Sequence, residues 1–395
     1  MRFASRLKDI DISGIRKMFD LAKGGDTINL AIGEPDFDIP REAREAVVRA
    51  LEAGLTHYTP NKGIPELRAR LAEKLREEND IEADGEDIIV TSGGSEGLLL
   101  AIMALVDAGD EVLIPDPGFV SYGPIVRMAS GVPIPYPLRE EGGFVPELAE
   151  LEALVTGKTR LIVVNTPSNP TGAVFPRRVV KGIADLSEDR GIPVLSDEIY
   201  ERIVYEGRHY SVGRYTDNTI TVNGFSKAYA MTGLRLGYVH AAPEAIEAML
   251  KVHQYVQACA SSLSQYAALA AMDAGEFVPR MVRAFRGRRD LFLRLLRKME
   301  GTSCVRPKGA FYAFPNFSSH GSSKEVAMRL LQEARVVATP GTAFGTLGEG
   351  YIRFSYATSE EKIREGMERV RECLSSCPRP LRNRSRGRPG RSSSR

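Results

Sequence analysis

The sequence contains no tryptophan and only four cysteines and five histidines among its 395 residues. Four cysteines are too few for a disulfide framework in so long a chain, so reduced thiols are the simpler interpretation. The histidines are scattered without the spacing of zinc ligands, which argues against a metal site. No apolar run approaches the roughly 20 residues of a membrane-spanning helix. The polar start MRFASRLKDIDIS lacks a signal peptide's apolar region, so a cytoplasmic protein without a membrane partner is expected.

The formal net charge of +2 averages two unlike parts of the chain. Residues 378–395 hold seven arginines and no acidic residue, so residues 1–377 carry a net charge of −5. The Arg, Ser, Pro and Gly composition of residues 378–395 predicts a disordered basic tail. The chain as a whole is 43% hydrophobic and 26% charged, as ordinary globular proteins are, and its length predicts about two domains.

Short apolar runs rich in β-branched residues alternate with stretches of helical periodicity. The runs are IIVT at 88–91, EVLIP at 111–115, LIVVN at 161–165, IPVLSDE at 192–198 and TITVNGF at 219–225. Helices are predicted between them at 65–78, 95–107 and 177–190. This alternation predicts an α/β domain with a mostly parallel, buried sheet over residues 42–280.

A second, smaller α+β domain is predicted at residues 281–377, and residues 1–41 form an N-terminal arm or a segment of that small domain. The predicted second domain begins with the basic stretch MVRAFRGRRDLFLRLLRKME, in which Leu and Phe recur at helical spacing. A charged, solvated helix face over an apolar stripe explains this pattern better than a nucleic-acid-binding patch does. Strand-like pieces follow at 309–315 and 351–357.

Three of the predicted strands run directly into polar segments. LIVVN leads into TPSNPTG, VLS leads into DEIYE, and TITVNGF leads into SKAYAMTGLRLG. Ligands of open α/β sheets bind beyond the carboxyl ends of the strands, so these segments are candidate sites.

Lys227 and Asp197 are the candidates with a specific chemistry. A lysine after a strand is usually only exposed, but one that is desolvated or near other cations loses its proton and can attack a carbonyl to form a Schiff base. Asp197 follows a buried strand, so it either forms a structural ion pair or helix cap or faces the pyridinium nitrogen of pyridoxal phosphate.

The segment TSGGSEGLLLAIMAL at 91–105 has the order strand, glycine turn and helix. Gly93 and Gly94 allow a close backbone approach, Ser95 offers a hydroxyl, and the start of the helix favours an anion. The segment does not match G-x-G-x-x-G, which counts against a dinucleotide-binding dehydrogenase.

Taken together, SNPTG, SDEIY and FSKAYAMTGLRLG resemble the signature of the class I aminotransferases, pyridoxal-phosphate enzymes with the aspartate aminotransferase fold. The resemblance covers about residues 1–375. The segments IGEPDFDIP, HYTPNKGIPELR, KGAFYAFP and TPGTAFG are similar to those of archaeal and thermophile-type aspartate or aromatic aminotransferases. The resemblance implies a large domain with a mostly parallel seven-stranded sheet, a smaller α+β domain and a homodimer.

The resemblance also implies roles around the cofactor, pyridoxal 5'-phosphate. Lys227 would form the Schiff base and move the proton during catalysis, while Asp197 would pair with the pyridine nitrogen. Tyr200 and Asn169 would hydrogen-bond the phenolic oxygen, and Phe119 would stack on the ring.

Further roles concern the cofactor phosphate and the substrate. The implied phosphate ligands are Gly94, Ser95, Ser226 and Arg235, with Tyr58 reaching in from the partner subunit. The implied substrate residues are Arg353, which would grip the α-carboxylate, with Gly33 and Asn169 beside it.

Simpler interpretations exist for several of these residues. Arg353 could be a surface residue, Tyr200 a core tyrosine, Asn169 a turn former and Tyr58 a packing residue. The sequence departs from the family pattern at Gly224, where relatives often have a serine that donates to the phosphate, and at Phe119, where they often have tryptophan.

The expected activity is transfer of an amino group between an L-amino acid, aspartate or aromatic, and a 2-oxo acid such as 2-oxoglutarate. One alternative keeps the cofactor and performs lyase chemistry. A second is a non-catalytic regulator that binds nucleic acid through the basic tail, which the presence of both Lys227 and Asp197 opposes. No specific nucleic-acid partner is therefore expected.

Overall fold

The computed structural model describes residues 1, 3–8, 10, 14 and 26–375. Its strands are β1 (Ile28–Asn29), β2 (Ile88–Thr91), β3 (Glu111–Asp116), β4 (Val132–Pro137), β5 (Thr159–Asn165), β6 (Val194–Asp197), β7 (Thr219–Gly224), β8 (Gly237–His240), β9 (Tyr312–Ala313), β10 (Val336–Val337), β11 (Thr339–Pro340) and β12 (Ile352–Ser355). Its α-helices are α1 (Arg41–Glu52), α2 (Pro65–Asn79), α3 (Gly94–Leu105), α4 (Tyr122–Met128), α5 (Leu148–Ala153), α6 (Arg177–Arg190), α7 (Phe225–Ala228), α8 (Pro243–Val256), α9 (Ser262–Ala271), α10 (Phe277–Leu296), α11 (Ser323–Gln332) and α12 (Glu360–Ser375).

The largest sheet has seven strands in the order β2-β8-β7-β6-β5-β3-β4. Strand β8 runs antiparallel to both of its neighbours, and the other adjacent pairs are parallel. The predicted mostly parallel α/β sheet is therefore confirmed. Strands β5, β6 and β7 are buried along nearly their whole length because helices cover both faces.

Two strands of this sheet were not predicted. Strand β4 has the sequence VPIPYP, and proline cannot donate to a ladder hydrogen bond. The strand is tolerated because it lies at the sheet edge and pairs only with β3. Strand β8 has only four residues, and its first residue, Gly237, is the last residue of the segment SKAYAMTGLRLG. It is therefore too short to show an alternating pattern.

Helix α10 contains most of the basic stretch that begins the predicted second domain. Its buried residues include Met281, Phe285 and Phe292, which confirms the apolar stripe. One arginine departs from the expected solvated face. Arg289 is only 1% exposed, donates to the Pro307 carbonyl at 2.8 Å and lies over the Tyr205 ring at 4.9 Å.

Two small sheets lie outside the large one. Strands β11, β12 and β9 form an antiparallel sheet, and β1 pairs in parallel with β10. Residues 28–29 therefore pack with the C-terminal part of the chain. The division at 41/42 and 280/281 stays a prediction, and the second boundary falls inside α10. The predicted tail at 378–395 lies outside the described residues.

No helix in the described part of the chain combines the length and the apolar character needed to cross a membrane.

Four glycines bring the end of β7, the start of β8 and the turn before α3 into close contact. A Cβ on Gly237 would lie 2.6 Å from the Gly94 nitrogen and 2.7 Å from the Gly93 carbonyl carbon. A Cβ on Gly224 would lie 2.9 Å from the Gly237 Cα. These neighbours are backbone atoms that cannot rotate away, so the contact fixes the glycine turn against the sheet.

We expect Gly237→Ala to lower the free energy of unfolding by about 1–3 kcal/mol, because the added methyl group overpacks a backbone contact. Urea denaturation followed by circular dichroism measures this change. Gly233→Ala is the matched control, since a Cβ there meets no atom within 4 Å. Equal urea midpoints for the two variants would contradict the close contact.

Candidate active site

A cavity of about 230 Å³ lies beyond the carboxyl ends of β5, β6 and β7, where β9 and β12 approach the large sheet. Eleven of the twelve residues predicted from the sequence line it. They are Gly33, Gly94, Ser95, Phe119, Asn169, Asp197, Tyr200, Ser226, Lys227, Arg235 and Arg353. The structure therefore brings these eleven residues together around one cavity.

Lys227 lies in the four-residue helix α7, directly after strand β7 ends at Gly224. Its Nζ donates a hydrogen bond to the Gly33 carbonyl at 2.8 Å. Burial, with a further contribution from the nearby Arg235, lowers the pKa of Lys227 to about 8. The side chain is therefore a far better nucleophile near neutral pH than an exposed lysine.

Asp197 is the last residue of β6 and is 5% exposed. Its carboxylate accepts hydrogen bonds from the Tyr122 hydroxyl at 2.7 Å and from the Ile199 backbone nitrogen at 3.3 Å. Burial raises the pKa of Asp197 to about 6, although the Tyr122 hydrogen bond acts in the opposite direction. Within residues 26–375 no cationic side chain forms an ion pair with it, so its negative charge lacks a close partner.

Two asparagines link the ends of β5 and β6. Asn165 donates from Nδ2 to the Asp197 carbonyl at 3.0 Å, and its Oδ1 accepts from the Asn169 backbone nitrogen at 2.9 Å. Asn169 Oδ1 in turn accepts from Arg353 at 3.1 Å. The segment that follows β5 is thus tied both to the Asp197 strand and to the small antiparallel sheet.

Arg353 on β12 is 1% exposed, so the alternative of a surface arginine is excluded. One terminal nitrogen donates to the Ala31 carbonyl and the other to Asn169. Its guanidinium carbon lies 4.5 Å from the centre of the Tyr312 ring and 4.8 Å from that of Phe344. Its Nε is buried and has no hydrogen-bond partner. Burial lowers the pKa of Arg353, as expected for a cation without a counter-ion.

The glycine turn before α3 places backbone N–H groups beside Arg235. Gly93 has φ +78°, and a Cβ there would lie 2.6 Å from an Arg235 nitrogen. Arg235 itself has φ 52° and donates to the Thr232 carbonyl at 3.1 Å. Ser95 is exposed at the rim, whereas Ser226 is buried. Backbone donors, two hydroxyls and a guanidinium form a cradle for an anion.

The departure at Gly224 has a steric reason. Because a Cβ at this position would crowd the Gly237 Cα at 2.9 Å and the Leu236 carbonyl oxygen at 2.9 Å, a serine does not fit without a backbone shift. The hydroxyl that relatives often place here is absent from the cradle.

Phe119 stands at the opposite wall of the cavity, on the loop after β3. The Asp116 carboxylate anchors this loop by accepting from the Thr346 nitrogen and hydroxyl and from the Leu347 nitrogen, at 2.7–3.0 Å. The Gly118 nitrogen also donates to the Phe344 carbonyl at 2.7 Å. The Phe119 loop is therefore held by the chain segment that also carries Phe344.

Tyr58 is the predicted site residue that does not line the cavity. It is 90% exposed in this single chain. The alternative that it packs within its own subunit is therefore excluded.

Three further residues of the site, Tyr122, Asn165 and Tyr312, were not predicted from the sequence. Tyr122 begins helix α4, three residues after Phe119, and Asn165 is the last residue of the run LIVVN, so both had a local signal. Tyr312 lies in KGAFYAFP, where nothing separates a cavity residue from a core aromatic. Its hydroxyl is 2.9 Å from that of Tyr200.

One histidine, His209, lies in a cluster of side chains that carry potential metal-ligand atoms. His209 lies with Glu198 and Glu201, and one ligand atom of each lies within 4.8 Å of the others. His209 is 2.9 Å from Glu198, while Glu201 forms an ion pair with Lys74. The lysine thus already supplies a cation to this cluster.

Comparison with known proteins agrees with this geometry. The family model for aminotransferase class I and II matches residues 25–370. The chain is 46% identical to an aspartate aminotransferase of Pyrococcus horikoshii, with 94% of this chain and 97% of the relative covered. It is 44% identical to the aromatic-amino-acid aminotransferase 2 of Thermococcus litoralis, with 95% and 98% covered.

A solved structure of the Thermus thermophilus aspartate aminotransferase with maleate superposes with a TM-score of 0.91. It is 41% identical, with 94% of this chain and all of that chain covered. The predicted aspartate aminotransferase fold is thereby confirmed. The chain belongs to the class I and II aminotransferase family, and it is a transaminase.

Proposed function

We propose that this transaminase uses pyridoxal phosphate, bound through Lys227, to move an amino group between an L-amino acid and a 2-oxo acid. The observation that carries the proposal is the combination of charges around one cavity. A lysine with a lowered pKa, an aspartate with a raised pKa and an arginine with an unpaired Nε all line it.

The residues present fit this cofactor. The Gly94 turn, Ser95, Ser226 and Arg235 would hold the phosphate. Asp197 would hold the pyridine nitrogen in its protonated form, and that cation would favour the ionised carboxylate, whose pKa burial raises. Asn169 and Tyr200 would bind the phenolic oxygen, and Phe119 would stack on the ring. When bound, pyridoxal phosphate supplies an aldehyde carbon and a ring that accepts electrons from the substrate.

Lys227 has two tasks in this proposal. Its neutral Nζ would hold the cofactor, and as a free amine the same Nζ would take the proton from the substrate α-carbon. A base with a pKa close to the working pH is effective in both directions of a proton transfer. The Gly33 carbonyl, 2.8 Å from Nζ, orients the free amine in the cavity.

Arg353 would bind the α-carboxylate of both substrates. Its Nε is buried without a partner, so a carboxylate oxygen there would satisfy a donor that otherwise carries a desolvation cost. Asn169 and the Ala31 carbonyl hold the guanidinium in place.

The amino donor is proposed to be aspartate or an aromatic amino acid, by analogy with the names of the relatives. A 2-oxo acid such as 2-oxoglutarate is proposed as the acceptor from the family resemblance. Mixing the cofactor-loaded protein with one amino acid at a time, without a 2-oxo acid, identifies the donor from the loss of visible cofactor absorbance. Measuring ammonia in the same samples distinguishes amino-group transfer from lyase chemistry.

The proposal includes a homodimer that works in the cytoplasm. Tyr58, at 90% exposed, and Tyr255, at 87%, present large aromatic side chains to solvent in the single chain. Leu51 and Val256 are also about half exposed, at 51% and 53%. A second copy that covers these residues would bring Tyr58 to the neighbouring phosphate cradle.

We expect borohydride to fix the cofactor colour of the loaded protein, with the cofactor-derived mass on the peptide that contains Lys227. The reason is that Lys227 has the nucleophilic neutral form at accessible pH. Peptide mass spectrometry locates the adduct. Lys181→Ala, which removes an exposed lysine, is the control and should leave the adduct unchanged. An adduct elsewhere would refute the role of Lys227.

Tyr122→Phe should weaken cofactor binding in a pH-dependent way. The Tyr122 hydrogen bond lowers the pKa of Asp197, so its loss raises that pKa above about 6 and protonates the carboxylate that binding requires. We expect a loss of affinity of about threefold to tenfold near pH 6. The loss should be smaller near pH 8.5, where Asp197 is ionised in both proteins.

Fluorescence titration of the apoprotein with cofactor measures this dependence. Tyr136→Phe is the control, because it deletes a buried hydroxyl that donates to the Val163 carbonyl at 2.8 Å and does not touch Asp197. A Tyr122→Phe affinity that is reduced by the same factor at both pH values would argue against the electrostatic explanation.

Co-expression of two inactive variants tests the dimer. If Tyr58 acts in the partner's site, a hybrid of Tyr58→Ala and Lys227→Ala subunits contains one intact site and one with both defects. Random pairing then restores about a quarter of the wild-type sites, whereas a Tyr58 that acts within its own subunit restores none. Specific activity of the co-purified mixture, compared with each variant alone, separates the two results.

A further inference from the structure

Tyr312 lies between the residues proposed to hold the cofactor and the arginine proposed to hold the substrate. It lies on β9, which pairs antiparallel with β12 so that Tyr312 is opposite Ser355. Arg353 is two residues from Ser355 on the same face of β12, which makes it a diagonal neighbour of Tyr312. The tyrosine is 1% exposed and lines the cavity.

The ring of Tyr312 contacts the arginine. The guanidinium carbon of Arg353 lies 4.5 Å from the ring centre, within the range of a cation–π interaction. Within the described residues, no carboxylate forms an ion pair with Arg353. Aromatic faces and carbonyl or amide oxygens therefore provide the stabilisation that a counter-ion would otherwise give, and they leave Nε available.

The hydroxyl of Tyr312 contacts a different residue. It lies 2.9 Å from the Tyr200 hydroxyl, and the two rings meet edge to face at 5.7 Å. The same hydroxyl occupies the space where a Cβ on Gly33 would be, only 2.2 Å away. Gly33 is the residue whose carbonyl accepts from Lys227. The tyrosine hydroxyl thus needs a glycine at position 33 to reach Tyr200.

We propose that Tyr312 is a positioning residue with two separable tasks, an inference that rests on the proposed function. Its hydroxyl donates to the Tyr200 oxygen, which leaves the Tyr200 proton to point at the cofactor's phenolic oxygen. Its ring holds the Arg353 guanidinium in the plane that receives the α-carboxylate. The hydroxyl task acts through Tyr200 and the ring task acts through Arg353.

The two tasks predict different effects for two substitutions. Tyr312→Phe keeps the ring but weakens Tyr200 as a hydrogen-bond donor. The cofactor's phenolic oxygen would then keep more negative charge. That charge would raise the pKa of a protonated group beside it. The pH midpoint of the visible cofactor absorbance should rise by about half a unit. Carboxylate affinity should stay within about twofold of the wild type.

Tyr312→Leu also removes the ring. Binding of an unreactive carboxylate, tested with succinate and with 3-phenylpropanoate, should weaken by about fivefold to tenfold relative to Tyr312→Phe. Both readouts use the cofactor-loaded protein without turnover: absorbance against pH, and absorbance against carboxylate concentration at fixed pH.

Tyr205 provides matched controls from the same core. It is 3% exposed, its hydroxyl donates to the Ala310 carbonyl, and Arg289 lies over its ring at 4.9 Å, but it does not line the cavity. Tyr205→Phe and Tyr205→Leu should leave the absorbance midpoint and carboxylate affinity unchanged. Equal effects from the Tyr205 variants would mean that general loosening of the core is responsible and would overturn the proposal.

Each task is also overturned by its own result. An unchanged midpoint in Tyr312→Phe removes the hydroxyl task, and an unchanged carboxylate affinity in Tyr312→Leu removes the ring task. A wild-type protein that shows neither the cofactor absorbance nor carboxylate binding would instead refute the proposed function, so the two failures are distinguishable.

Discussion

Desolvation of charges that do not neutralise one another is the constraint on which the site depends. Lys227, Asp197 and Arg353 surround one cavity, and each has a pKa shifted toward its neutral form by burial. The shifts of Lys227 and Asp197 each correspond to about 3 kcal/mol, which is a large fraction of a typical folding free energy. A bound group with opposite charges would relieve this cost, so the cavity favours an ionic ligand.

A polar network on the other side of the sheet stabilises the elements that carry these desolvated charges. Asp197 and Glu198 are neighbours in sequence and point to opposite sides, as successive residues of an extended chain do. Glu198 accepts hydrogen bonds from Ser196 and Ser211 at 2.8 and 2.6 Å. Asn79, at the end of α2, bonds Glu201 at 2.7 Å. Glu198, within the Asp197–Tyr200 segment, and Glu201, directly after it, are thus both bonded to other parts of the chain.

The sequence predicted the parts of the molecule whose signal is local. Uninterrupted β-branched runs identified β2, β3, β5, β6 and β7, whereas β4 with its prolines and the short β8 were missed. Their places after predicted strands identified Lys227 and Asp197, and resemblance to a family added the role of Arg353. It could not reveal that Asp197 is supported by a tyrosine hydroxyl, because Tyr122 and Asp197 are 75 residues apart.

Tyr312 was missed for a different physical reason. Its segment reads as an ordinary buried strand, and only the pairing of β9 with β12 shows that its ring meets Arg353. Tyr58 is the converse case, because it was predicted as a site residue but does not line the cavity. The resemblance gave it a role, but a single chain places it in solvent, because such a role depends on a second copy.

The glycine contact between Gly224 and Gly237 also constrains the order in which this site could change during evolution. A serine at 224 would add a hydroxyl near the proposed anion cradle, but its Cβ would meet the Gly237 Cα at 2.9 Å. The backbone of β8 would have to move first, and that strand also carries the contact that fixes the Gly93 and Gly94 turn. Substitutions that add a donor to the cradle at position 224 would therefore have to follow a change in strand β8.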